Sequence, residues 1–113
     1  MCAQFKDIKD IREFFTGNLR VPTLNALTSD AHLYEILAIQ PAGEIERRDD
    51  FIGHSNHPTA IHRFSDFLRL AMGKDSDLVL TPEYSCPWEV LETAIRQHML
   101  PKPGKLWILC CEA

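Results

Sequence analysis

Apolar residues recur at three- and four-residue intervals in three segments of the chain, which is the pattern of amphipathic helices. The first segment spans residues 5–15. The second is predicted to begin at Pro58 and to end at Gly73, and the third to begin at Ser85 as N-cap, with Pro87 in its first turn. The apolar stripes are Phe5, Ile8, Ile11, Phe14 and Phe15; Ile61, Phe64, Phe67, Leu68 and Ala71; and Trp88, Leu91, Ile95 and Met99.

Three other segments are rich in aliphatic and aromatic side chains, which predicts β-strands. They cover residues 33–40, 78–81 and 105–111, and the first of them stops at Pro41. The third has no polar alternation, as expected for a strand covered on both faces. Residues 42–57 are polar and charged, and we predict that they form a long loop.

The order strand, helix, strand, helix, strand predicts an α/β domain with a parallel sheet and crossover helices. At 113 residues the chain has the length of one compact domain. Residues 1–30 are predicted to form an N-terminal helix followed by a connecting loop, and residues 31–113 the α/β unit.

Charge and cysteine content narrow the classes of function. The chain carries 12 Lys and Arg against 16 Asp and Glu, and no basic run could neutralise several phosphates, so neither a nucleic acid nor a membrane is the expected partner. Its 4 cysteines lack the spacing of a disulfide framework or a zinc site. The N-terminus lacks a signal peptide's apolar core. These features favour reduced thiols and a cytoplasmic location.

Glu83 is the strongest candidate for a catalytic residue. It follows the apolar strand through Thr81 and Pro82 and precedes a predicted helix. In open α/β sheets, ligands bind outside the carboxyl ends of the strands, which is where this carboxylate is expected. The alternative is an acid that only stabilises the N-terminus of the helix that follows.

The strand that ends in Pro82-Glu83 resembles the first catalytic segment of the nitrilase, or carbon–nitrogen hydrolase, superfamily. The resemblance extends over about residues 33–113, because residues 37–40 resemble the family's opening strand and residues 106–109 its third. It implies the amino-terminal part of an αββα sandwich. It also implies hydrolysis of a small-molecule amide or nitrile, without a cofactor, by a Glu, a Lys and a Cys in that chain order.

Only the Glu of that triad can be carried over, to Glu83 as general base. Neither Lys102 nor Lys105 follows a strand, and no cysteine lies in the family's nucleophile context. We therefore expect an N-terminal portion of a hydrolase domain that is inactive by itself and that associates with copies of itself through exposed apolar sheet. A non-catalytic, hydrolase-like binding or regulatory module is the alternative.

Other candidate sites are weaker. A nucleotide-binding domain is disfavoured because no glycine-rich phosphate fingerprint follows a strand. His54, His57 and His62 have a spacing found in some zinc sites, but no second ligand pair follows, so we expect solvated or helix-terminal histidines and no metal. Cys86, near a helix start, is expected to be packed rather than reactive.

Overall fold

The computed structural model describes residues 33–113, and the helix predicted at residues 5–15 lies outside them. The described part is a mixed α/β structure, which confirms the predicted class. Its elements are β1 (Ile36–Ala38), β2 (Ile45–Arg48), β3 (Phe51–His54), α1 (His57–Gly73), β4 (Leu78–Leu80), α2 (Trp88–Arg96) and β5 (Leu106–Ile108).

The strands β1, β4 and β5 form the predicted parallel sheet, with β4 in the centre. In this register Leu37, Val79 and Trp107 lie side by side, and successive rows of a sheet point to opposite faces. That row faces the core, whereas Ile36 and Ile108 in the flanking rows are exposed. Within residues 33–113 one face of the sheet is therefore open, and the expectation that β5 is covered on both faces is wrong.

Both helices pack on the face that carries Val79. The stripe predicted for α1 is confirmed, because Phe64, Phe67, Leu68 and Ala71 are buried, and the helix ends at Gly73 as expected. None of the helices in the described part of the chain is long and apolar enough to cross a membrane. The buried core consists of Ala60, Phe64, Phe67, Leu68, Ala71, Val79, Cys86, Val90 and Ala94.

The segment predicted as a long loop contains an antiparallel hairpin, so that prediction is wrong. Strands β2 and β3 pair from Ile45 opposite His54 to Arg48 opposite Phe51. The strands were not predicted because this segment is highly charged, although Phe51 and Ile52 are strand-forming residues. The hairpin also bonds to the end of the chain, because the backbones of Ile52 and Ala113 exchange hydrogen bonds.

Helix α2 differs from the prediction at its start and in its buried face. Pro87, not Ser85, occupies the N-cap position, and the Ser85 hydroxyl donates to the carbonyl of Pro82 at 2.5 Å. The buried residues of the helix are Val90 and Ala94, whereas Trp88 and Ile95, which were predicted to face the core, are exposed. The large side chains suggested one apolar stripe, but the small ones fit the close contact with the core.

Candidate functional site

Glu83 lies where the sequence predicted it, just beyond the carboxyl end of the central strand. Thr81 anchors the approach: its backbone N–H donates to the carbonyl of Ile108 at 3.1 Å, and its hydroxyl accepts from the N–H of Cys110 at 2.7 Å. The chain then turns through Tyr84, whose φ of 54° is in the left-handed region. The Glu83 side chain is exposed and makes no hydrogen bond or ion pair within residues 33–113.

A cavity of about 430 Å³ opens beside Glu83. Its walls come from the end of β1, through Ile39 and Gln40, from the hairpin, through Ile45 and His54, and from the turn that carries Glu83. The cavity therefore joins the carboxyl ends of β1 and β4, which is the usual position of a ligand site in an open α/β sheet.

Three polar side chains that the sequence did not connect meet next to this cavity's hairpin wall. His57 starts α1, Glu89 lies in the first turn of α2, and Glu112 follows β5. The Glu89 carboxylate accepts from His57 Nε2 at 2.9 Å, while His57 Nδ1 lies 3.5 Å from Glu112 Oε2. If each residue offers one ligand atom, the three atoms lie within 4.8 Å of one another.

Glu112 is the buried member of this cluster, with a side chain only 6 % exposed. Its Oε1 accepts from the backbone N–H of Trp88 at 3.4 Å, and its carbonyl accepts from the Trp88 indole at 2.8 Å. Because the Pro87 N-cap supplies no side-chain hydrogen bond, Glu112 serves the N-terminus of α2 from outside the helix. Oε2 accepts no hydrogen bond from any described residue.

Contacts within this cluster shift the pKa values of its two more exposed members, His57 and Glu89. The hydrogen bond to Glu89 raises the pKa of His57, with a further contribution from the charge of Glu112. The same hydrogen bond lowers the pKa of Glu89. Both shifts favour an ion pair of an imidazolium with carboxylates.

His54 behaves in the opposite way, although it lies only three residues from His57. It is buried with its ring against Phe64, and its Nε2 has no hydrogen-bond partner among the described residues. Burial lowers its pKa, more than the charge of Glu112 raises it, and Arg63 lowers it further. The expectation of a solvated histidine is therefore wrong for His54, because the hairpin encloses it, and correct for the exposed His62.

The three described cysteines, Cys86, Cys110 and Cys111, are free thiols. Cys86 is fully buried in the core opposite Cys111, and burial together with that neighbour raises its pKa to about 12. A thiol in this state is inert at neutral pH, as the sequence predicted for Cys86.

The described lysines lie at the opposite edge of the sheet from Glu83. Lys74, Lys102 and Lys105 all belong to the segments that lead into β4 and β5, at the amino edge of the sheet. Lys105 is held there by Asp77, whose Oδ1 lies 2.9 Å from its Nζ, and this bond raises the pKa of Lys105. The described residues thus bring no lysine to Glu83.

The sequence predicted the position of Glu83 but did not identify Glu112 as a candidate residue. The same signal was available for both, because each carboxylate follows an apolar strand of the parallel sheet. The proximity of His57 and Glu89 carried no such signal, since 32 residues separate them.

Comparison of the chain with protein-family models, with curated proteins and with solved structures gives no match. The family resemblance of the Glu83 segment therefore stays a prediction from its own residues.

Proposed function

We propose that residues 31–113 are the amino-terminal part of a nitrilase-like carbon–nitrogen hydrolase domain in which Glu83 is the general base. The observation that carries this proposal is the position of Glu83: directly after the central strand of a parallel sheet, exposed, and on the wall of a cavity of about 430 Å³. The substrate class is a small-molecule amide or nitrile, and no cofactor is needed.

The surroundings of Glu83 suit proton transfer. The carboxylate of a general base must lie within hydrogen-bond reach of the proton that it takes. It must also not be occupied by an internal hydrogen bond. Glu83 has no such internal partner among the described residues. Gln40, which lines the same cavity, offers an amide that can orient a carbonyl or nitrile group.

The open face of the sheet supports the finer fold in this proposal, an αββα sandwich. Both described helices cover one face, while Ile36 and Ile108 leave apolar side chains exposed on the other. In a sandwich that second face packs against another sheet, or against a second copy of the chain in a homo-oligomer. The free cysteines suit a cytoplasmic protein.

A non-catalytic module is the second candidate, and one observation favours it. Cys86 is buried with its pKa raised to about 12, and the described lysines lie at the opposite edge of the sheet. The proposal assigns the missing Lys and Cys to sequence that follows Ala113, so the 113 residues alone should be inactive. Under the module hypothesis, the natural protein contains no catalytic Lys and Cys of this kind.

Activity measurements on two polypeptides test the proposal. The 113-residue chain should release no ammonia from a panel of primary amides and nitriles beyond its Glu83→Gln variant. The natural polypeptide read from the coding frame past Ala113 should release ammonia, and Glu83→Gln should lower its rate at least about 100-fold.

The matched control is Glu92→Gln, which removes the same charge from an exposed position on α2 and should leave the rate unchanged. Full activity of the natural polypeptide with Glu83→Gln would overturn the assignment of the base. A natural polypeptide that ends at Ala113, or that hydrolyses none of the panel, would favour the module.

A further inference from the structure

One oxygen of the buried Glu112 carboxylate has no hydrogen-bond partner among the described residues. Removing a carboxylate from water costs several kcal/mol unless charges or hydrogen bonds compensate. Oε1 has a backbone N–H at 3.4 Å, but Oε2 accepts no hydrogen bond in residues 33–113 and points toward His57 Nδ1 at 3.5 Å. A cation between Oε2 and that nitrogen would satisfy both groups.

The backbone is shaped around this carboxylate. A Cβ atom added at Gly53 would lie 2.7 Å from Glu112 Oε2 and closer still to the Phe51 ring, so a larger residue there would displace one of these two side chains. The Glu112 backbone N–H donates to the carbonyl of Cys86, its carbonyl accepts from the Trp88 indole, and the next residue, Ala113, exchanges hydrogen bonds with Ile52. The carboxylate is thus held in place before any ligand arrives, which reduces the entropy lost on binding.

We propose that His57, Glu89 and Glu112 bind one divalent first-row transition-metal ion, for which Zn²⁺ is the probe. This site is separate from Glu83 and does not depend on the function proposed above. It would join the start of α1, the first turn of α2 and the segment after β5.

The distances fit such an ion. Ligand atoms about 2.0–2.2 Å from Zn²⁺ in a tetrahedral arrangement lie about 3.4 Å apart. The 3.5 Å between His57 Nδ1 and Glu112 Oε2 matches that value. Glu89 contacts the other ring nitrogen, Nε2, at 2.9 Å, so it must reorient to reach an ion bound at Nδ1. His57 Nδ1 faces the fixed carboxylate of Glu112, and the Glu89 side chain, 56 % exposed, is free to reorient and close the site.

The donor set also decides the class of ion. One imidazole nitrogen with two carboxylates suits zinc, manganese or ferrous iron better than magnesium, which prefers oxygen ligands alone. Three protein ligands leave a position open to water or to a ligand. The two carboxylates together balance the charge of a divalent ion.

Titration calorimetry on the untagged 113-residue chain, freed of metal with a chelator, tests the site. We expect one Zn²⁺ per chain, a higher midpoint of thermal unfolding, and Mg²⁺ binding at least about tenfold weaker. Substitution with Co²⁺ should give visible absorption without a sulfur-to-cobalt charge-transfer band, which separates this site from binding by the cysteines.

Glu89→Gln is the decisive variant because Glu89 is exposed, so its replacement should leave the fold intact. It should raise the dissociation constant of Zn²⁺ at least about tenfold, as should Glu112→Gln if that variant folds. Glu92→Gln on the same helix and His62→Gln on α1 are the matched controls and should bind as the parent does. Absence of Zn²⁺ binding, equal affinity in Glu89→Gln, or a cobalt–sulfur band would overturn the proposal.

Discussion

The buried carboxylates at the two edges of the parallel sheet differ in how completely they are hydrogen-bonded. At the amino edge, Asp77 is buried but fully engaged: its carboxylate accepts from Lys105 Nζ and from the backbone N–H of Glu35, each at 2.9 Å. At the carboxyl edge, Glu112 is almost as deeply buried, yet one of its oxygens has no hydrogen-bond partner among the described residues.

The difference separates a structural role from a functional one. A buried charge with complete partners fixes the fold, because its loss leaves other groups unsatisfied. A buried charge with an incomplete set can be completed by something that the chain does not contain, such as a metal ion or a reacting group. The carboxyl edge also carries the exposed Glu83. The two carboxylates that lack partners among the described residues, in full or in part, therefore lie at one end of the sheet.

The largest expected effect is at the amino edge. Asp77→Ala should lower the free energy of unfolding by about 3 kcal/mol, because Lys105 and the N–H of Glu35 both lose their acceptor. Urea denaturation followed by circular dichroism measures it. The control is Asp75→Ala, an exposed acid 3.9 Å from the same lysine, which should change the value by less than about 0.5 kcal/mol. Equal effects of the two variants would contradict the structural role of Asp77.

The fixed position of Glu112 predicts the next effect. Gly53→Ala should cost about 2 kcal/mol, because the added methyl group meets Glu112 Oε2 and the Phe51 ring. In a Glu112→Ala background the cost should fall by at least about 0.5 kcal/mol. Gly73→Ala, which meets nothing within 4 Å, should be neutral or stabilising. An unchanged cost in the Glu112→Ala background would show that the carboxylate does not occupy this space.

A pH series distinguishes the histidine enclosed at the carboxyl edge. Burial, the largest effect, lowers the pKa of His54, so below its ordinary value of 6.5 the unfolded chain binds the proton more readily than the folded one. Stability contributed by neutral His54 is therefore present above pH 6.5 and is lost as the pH falls toward the folded pKa.

One titrating proton changes the free energy of unfolding by at most about 1.4 kcal/mol per pH unit. His54→Gln should show a smaller loss of stability than the parent between about pH 7 and pH 5, measured with chelator present. The comparison cancels the opposite contribution of His57, whose pKa is raised. Parallel curves for the two proteins would mean that His54 does not titrate differently on folding.

The smallest expected effect belongs to Glu83. Glu83→Gln should change the free energy of unfolding by less than about 0.5 kcal/mol, because the side chain is exposed and has no partner among the described residues. Chemical denaturation of the parent and the variant in one buffer measures the difference. A loss above about 1 kcal/mol would assign Glu83 to structure rather than to the cavity beside it.

Sequence patterns predicted the sheet and α1 well because local signals define them. The apolar runs that contain β1, β4 and β5 are bounded by proline, glycine or charge, and the stripe from Phe64 to Ala71 repeats with the helical period. The hairpin was missed because its strands are short and highly charged. The buried face of α2 was missed because Val90 and Ala94 fit the core while the bulkier Trp88 does not.

The sequence by itself determined the α/β order of the described chain, the parallel sheet and the position of Glu83 after the central strand. These features follow from periodicity and from breakers within a few residues. Only the tertiary structure decided that Glu112 and His54 are buried and that His57 meets Glu89, because these contacts join residues 24 to 32 positions apart or depend on enclosure by the hairpin. Burial and proximity are properties of packing, and packing is set by the whole chain rather than by any one segment.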